Sequence, residues 1–138
     1  MINEIEKHLK NLDCLVLLTD DLKKAAAFYQ SLGFDCIRSD GKGVMLKLGA
    51  FEIHFHEKEE YALGFRKNLP TDLHHSKKGL GVLIQIEVDN AETYHTELLA
   101  KGLRPIESPE KMPWGNIEFG IQDPDGYTLC FYELPKAQ

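Results

Sequence analysis

The chain has 138 residues, with 43% hydrophobic and 28% charged side chains and a formal net charge of −6. That length suits one domain with its own core and excludes two ordinary ones. No apolar run approaches the ~20 residues of a membrane span, and an acidic balance without clustered Lys and Arg argues against nucleic acid as a partner. The acidity is compatible with a cationic ligand, although solubility alone explains it equally well. The start, "MINEIEKHLKN", is polar and lacks the apolar stretch of a signal peptide, so a cytoplasmic location is expected. The cysteines, Cys14, Cys36 and Cys130, are odd in number and have no close pair, which fits reduced thiols.

In chain order, residues 1–11 suggest a short amphipathic helix through Ile2, Ile5 and Leu9. Residues 12–18 are apolar and β-like. Thr19, Asp20 and Asp21 then offer an N-cap, Leu22, Ala25, Ala26, Tyr29 and Leu32 recur at helical spacing, and Gly33 supplies the stop. Three strands follow, "FDCIRS", "GVMLKLG" and "FEIHFHE", separated by the turn signals "DGKG" and "GA". Residues 58–79 are polar and long enough to form a mobile connection over a site. In that connection Tyr61 and Phe65 suit a lid or a dimer contact, and His74 and His75 are solvated unless the loop folds over.

The pattern then repeats. A strand over residues 81–88 runs into an Asp-Asn cap, a helix marked by Ala91, Tyr94, Leu98 and Leu99, and Gly102. The unit recurs at an offset of 69 residues with nearly no identity, a repeat of pattern rather than of sequence. After Gly102 come "LRPIES", "NIEFGIQ" and "YTLCFYE", separated by "PEKMPWG" and "DPDG". Both halves read βαβββ. The expected fold is therefore α+β, a single domain over 1–138. Module one spans about 12–57, the loop about 58–79 and module two about 80–134.

Strand parity sorts the side chains. Glu52, His54 and His56 share one face, with Ile53 and Phe55 on the other. Leu83, Gln85 and Glu87 share a face opposite Ile84, Ile86 and Val88; Thr128, Cys130 and Tyr132 share one opposite Leu129 and Phe131. Two histidines without partners are costly to bury, so their face is expected to line a polar cavity or to be solvated. Trp114, the single tryptophan, lies between Pro113 and Gly115. It serves either as a hairpin anchor or as a stacking surface for a planar or cationic ligand. Glu118 reads as a plain surface charge or a neighbour of that surface. Neither a Gly-x-Ser-x-Gly elbow nor a phosphate-binding glycine loop is present.

The paired modules, "DLKKAAAFYQSLGF" and "DPDGYTLCFYE" together resemble the vicinal oxygen chelate superfamily, the glyoxalase, bleomycin-resistance and extradiol dioxygenase group. That resemblance implies curled mixed sheets around a cavity, with a helix on each convex side. It also implies four metal-ligand positions, which fall here on Cys14, His54, Leu83 and Cys130. A set with one imidazole, no carboxylate and one leucine suits Mg²⁺, Mn²⁺ or Fe²⁺ poorly. Cys14, His54 and Cys130 still make an alternative set for zinc or another divalent metal, which would serve a lyase, isomerase or thiol transferase.

"PWGNIEFGIQDPDG" and "FEIHFHE" are most similar to the bleomycin-resistance branch, with Tyr127 where that branch has Asn after "DPDG". The likeness implies a metal-free homodimer that sequesters a small amphipathic or cationic aromatic ligand. Parity and the implied fold together give a cavity of Val16, His54, His56, Gln85, Trp114, Cys130 and Tyr132, with no catalytic residue and no cofactor.

Overall fold

Alternating strands and capped helices give two copies of one arrangement. The computed structural model describes residues 8–58 and 76–136. Module one contains β1 (Leu15–Thr19), α1 (Leu22–Leu32), β2 (Asp35–Ser39), β3 (Gly43–Leu48) and β4 (Phe51–Glu57). Module two contains β5 (Leu83–Glu87), α2 (Ala91–Ala100), β6 (Glu110–Lys111), β7 (Ile117–Gln122) and β8 (Thr128–Glu133). Each forms a four-stranded mixed sheet, in the orders β1-β4-β3-β2 and β5-β8-β7-β6. In both, the first strand is parallel to the last and the remaining pairs are antiparallel. The helix between first and second strands makes that parallel return possible.

The helices start and stop where their end residues dictate. Asp21 caps α1 by accepting from the Lys24 amide, and Asn90 caps α2 by accepting from the Thr93 amide. Gly33, at φ 116°, closes α1 in the left-handed region that glycine occupies without penalty. The α2 start has a second acceptor: buried Glu133, the last residue of β8, takes the Ala91 N–H at 2.8 Å.

Each helix covers the apolar face of its sheet. Ala25, Tyr29 and Leu32 of α1 lie over Val44, Leu46, Ile53 and Phe55. Ala91 and Leu98 of α2 lie over Phe119, Ile121, Leu129 and Phe131. Burying Phe55 or Phe131 fully stabilises by roughly 2–3 kcal/mol each. The two apolar sets merge into one core, so neither module's apolar face is left to water.

Polar contacts across the module boundary fix their relative position. The Asp-Pro-Asp-Gly turn before β8 docks on the end of β1. There Thr19 Oγ1 donates to Asp125 Oδ2, the Asp20 N–H donates to Asp125 Oδ1 at 3.0 Å, and the Tyr127 hydroxyl meets the Leu18 backbone. Within the turn, Asp123 Oδ1 accepts the N–H groups of Asp125, Gly126 and Tyr127, while Oδ2 accepts the Tyr29 hydroxyl at 2.8 Å. The Tyr94 hydroxyl of α2 donates to the Leu32 carbonyl at the end of α1.

Two expectations change. The strand expected at "LRPIES" is irregular; Pro105 and Pro109 supply no amide donors, and the Ile106 N–H donates to the Gly120 carbonyl at 2.8 Å. The ladder forms instead at Glu110–Lys111, inside the stretch read as a connection. Strand β1 likewise begins at Leu15, later than the apolar run suggests. Ile2, Ile5, Tyr61, Phe65, His74 and His75 lie outside the described residues. Among the described residues, no helix is long and apolar enough to cross a membrane.

Candidate functional site

The face of each sheet away from its helix carries the polar side chains. On the first sheet, register sets Val16 beside His54 and His54 beside Met45; Leu18 lies beside His56 and His56 beside Gly43. His54 and His56 line a cavity of ≈180 Å³ together with Arg38, Asp40, Lys42 and Met45. Gly43 makes room for the His56 ring: a Cβ there would stand 3.1 Å from His56 Cε1.

The His54 ring is held at both nitrogens. Nε2 lies 3.0 Å from Glu52 Oε1, and Nδ1 lies 3.5 Å from Cys14 Sγ. Burial pushes the Cys14 thiol up, and the charges of Asp13 and Glu52 push the same way. The thiol therefore rests protonated at neutral pH.

On the second sheet the ladders run Gln85–Cys130–Gly120 and Glu87–Tyr132–Glu118. Gly120 has no side chain, and Ile106 and Glu107 lie over the gap. Burial raises the Cys130 thiol pKa, and Glu118 and Glu107 add to the rise. The floor of this face is thus a field that favours positive charge.

Trp114 stands at its rim, 64% exposed. Its Nε1–H donates to Glu118 Oε2 at 2.8 Å, and Asn116 Nδ2 donates to the same oxygen at 3.3 Å. A tight turn before β7, closed by the Gly115 N–H to the Met112 carbonyl, brings the indole back over that carboxylate. An exposed aromatic ring pinned by one edge keeps its face available for stacking.

The structure therefore divides the expected residues into two groups. Val16, His54 and His56 lie on the first sheet; Gln85, Cys130, Tyr132 and Trp114 lie on the second. A further cavity of ≈390 Å³ runs along β5, between Val82, Leu83, Gln85 and Glu87 on one side and Leu15, Leu48 and Phe51 on the other.

The metal positions do not fit a metal. Leu83 has no donor atom and sits beside Thr128, while Cys130 sits beside Gln85. Cys14, just before β1, and His54 belong to the other module, and among the described residues no group of three His, Cys, Asp or Glu side chains is placed to hold a metal ion. Two neutral-to-basic donors on one sheet do not make the closed or three-ligand set that zinc requires.

Sequence reading missed three partners. Glu118 was read chiefly as a surface charge, although its spacing of four from Trp114 across a Gly-containing turn is a usable signal. Glu107 lies in the segment read as a strand. The Cys14–His54 contact joins the segment before β1 to β4, so no local spacing reveals it.

Comparison with known proteins places this arrangement. Residues 11–131 match the family described as Glyoxalase/Bleomycin resistance protein/Dioxygenase superfamily. No curated protein matches the chain in sequence. Among solved structures it is similar to lactoylglutathione lyase from Agrobacterium tumefaciens, at TM-score 0.70 and 21% identity, covering 91% of this chain and 95% of that one. It is also similar to a glyoxalase/bleomycin resistance protein/dioxygenase family enzyme from Burkholderia phytofirmans PsJN, at TM-score 0.74, 22% identity and coverage of 91% and 99%. A bleomycin-binding protein solved with bleomycin matches at TM-score 0.62 and 20% identity, covering 90% and 98%. Identities this low speak for the fold alone; with the family match over nearly the whole chain, the protein belongs to the glyoxalase/bleomycin resistance protein/dioxygenase superfamily.

Proposed function

We propose that this protein binds and sequesters a small amphipathic, cationic aromatic molecule without metal chemistry. The observation that carries the reading is Trp114, exposed and pinned through its N–H to Glu118 at the edge of an acidic face. A planar cation stacks on the indole and meets the field of Glu118 and Glu107, which adds to burial in raising the Cys130 thiol pKa. Tyr132, beside Glu118 in the ladder, adds a second aromatic surface, and Gln85 offers a neutral hydrogen-bonding group. His54, His56 and Val16 form the corresponding face of the other module.

The reading includes a homodimer. Exposed Val82, Leu83, Leu48 and Phe51 line the cavity along β5 and offer an apolar contact surface. The metal-dependent lyase, isomerase or transferase alternative is supported by the likeness to lactoylglutathione lyase, but the donor set opposes it.

Calorimetric titration of the chelator-treated protein with metal-free bleomycin separates the two. Saturable binding that persists in chelator supports sequestration. No binding, together with a lyase activity restored by a divalent metal, overturns it.

A further inference from the structure

We propose that Cys14, His54 and Glu52 form a thiol–imidazole–carboxylate relay that adds the Cys14 sulfur to soft carbon electrophiles, a reactivity independent of the ligand binding proposed above. The three side chains are brought together by register. Glu52 and His54 are two apart on β4 and share a face. His54 pairs with Val16 of β1, so Cys14, two residues earlier on the same parity, reaches the ring.

The hydrogen bonds assign the ring's protons. A carboxylate only accepts, so the 3.0 Å contact puts the proton on His54 Nε2. With the second nitrogen unprotonated, Nδ1 turns its lone pair toward the thiol at 3.5 Å. That is the nucleophile, base and orienting group of an assisted thiol. Burial, then the charge of Asp13 and its hydrogen bond with the thiol, and lastly Glu52 across from it, disfavour a resting thiolate; Lys47, the register partner of Glu52, is exposed. Attack therefore requires the imidazole to take the proton as the sulfur bonds.

With an α,β-unsaturated carbonyl the step balances without oxidant or leaving group. The sulfur lone pair forms a C–S bond at the β-carbon, and the alkene π pair moves through the α-carbon into the carbonyl as an enolate. The thiol proton passes to His54 Nδ1, where Glu52 stabilises the imidazolium, and then to the α-carbon. The net change is addition of S–H across C=C. Cys14 is half-exposed, which leaves its sulfur within reach of such a molecule.

The other thiols serve as internal references. Cys36 Sγ faces the Arg38 carbonyl at 3.6 Å, and Cys130 is flanked by Glu118 and Glu107. The native full chain is treated with limiting N-ethylmaleimide near neutral pH, and adducts at each cysteine are timed by peptide mass spectrometry. Cys14 is expected to react at least ~10-fold faster than Cys36, the low end of general-base assistance. His54→Gln should remove at least ~10-fold of the Cys14 rate and leave the Cys36 rate unchanged, with a smaller loss in Glu52→Gln. The comparison of thiols is made in the wild type and so does not depend on a variant folding. Cys14 reacting no faster than Cys36, as its raised pKa alone dictates, overturns the proposal; so does a His54→Gln rate equal to that of the wild type.

Discussion

The Tyr127 hydroxyl donates to the Leu18 carbonyl at 2.9 Å and accepts the Leu18 N–H at 3.2 Å, tying the closing hairpin of module two to the first strand of module one. Both groups are buried, and burial pushes the phenol up to about 12, so it remains a neutral donor throughout the physiological range. Tyr127→Phe keeps the ring and leaves two buried backbone groups without this partner. It should lower the unfolding free energy by about 1–3 kcal/mol, read from urea denaturation. Tyr127→Asn, which restores the residue usual after "DPDG", also empties the ring's place beside Phe55 and should cost more.

Asp123 gives the fold a pH signature. Its carboxyl is buried, and desolvation raises its pKa above the ordinary value despite the Tyr29 hydroxyl and the turn amides, which pull it down. In the window just above the ordinary carboxylate value, the folded chain holds more protons at this site than the unfolded chain. Stability from this group is then full below the unfolded pKa and is lost as pH rises through the folded one. Subtracting the pH profile of Asp123→Asn from that of the wild type should isolate a component that falls as pH rises through this window. A component that rises there would contradict the burial argument.

The chain declared most of its architecture because helix caps and strand parity are local. Asp21, Asn90 and Gly33 act where their chemistry predicts, and the alternation in "FEIHFHE" and "TLCFYE" separates buried from half-buried side chains as observed. "LRPIES" is apolar enough to suggest a strand, but Pro105 within it and Pro109 just after it supply no amide for a ladder. Contacts between strands were illegible for a different reason. Cys14 and His54 are 40 residues apart and Tyr127 and Leu18 are 109 apart, distances that no periodicity encodes. Tyr127 could be seen only as a departure from the family pattern; its role as a module tie needed the structure.

Two nearby glycines should respond differently to alanine. Gly79 has φ +84°, and a Cβ there would stand 2.2 Å from the Gly126 carbonyl oxygen in the turn that docks the modules. Gly81 has φ +77° but open space around the same position. Gly81→Ala meets only the left-handed backbone penalty, about 1 kcal/mol. Gly79→Ala adds a backbone clash and should cost at least about 2–3 kcal/mol. Thermal melts of the two variants give the comparison, and equal losses would show that the turn yields freely at Gly126.

The central claim is that the acidic face beside Trp114 receives the ligand. Because Trp114 is the single tryptophan, its fluorescence during titration with metal-free bleomycin reports that face alone. The account predicts a saturable change in emission, and an affinity loss of at least about 1 kcal/mol when Trp114→Ala is measured by calorimetry. Emission that stays constant to saturating ligand, or an unchanged affinity in Trp114→Ala, would contradict it.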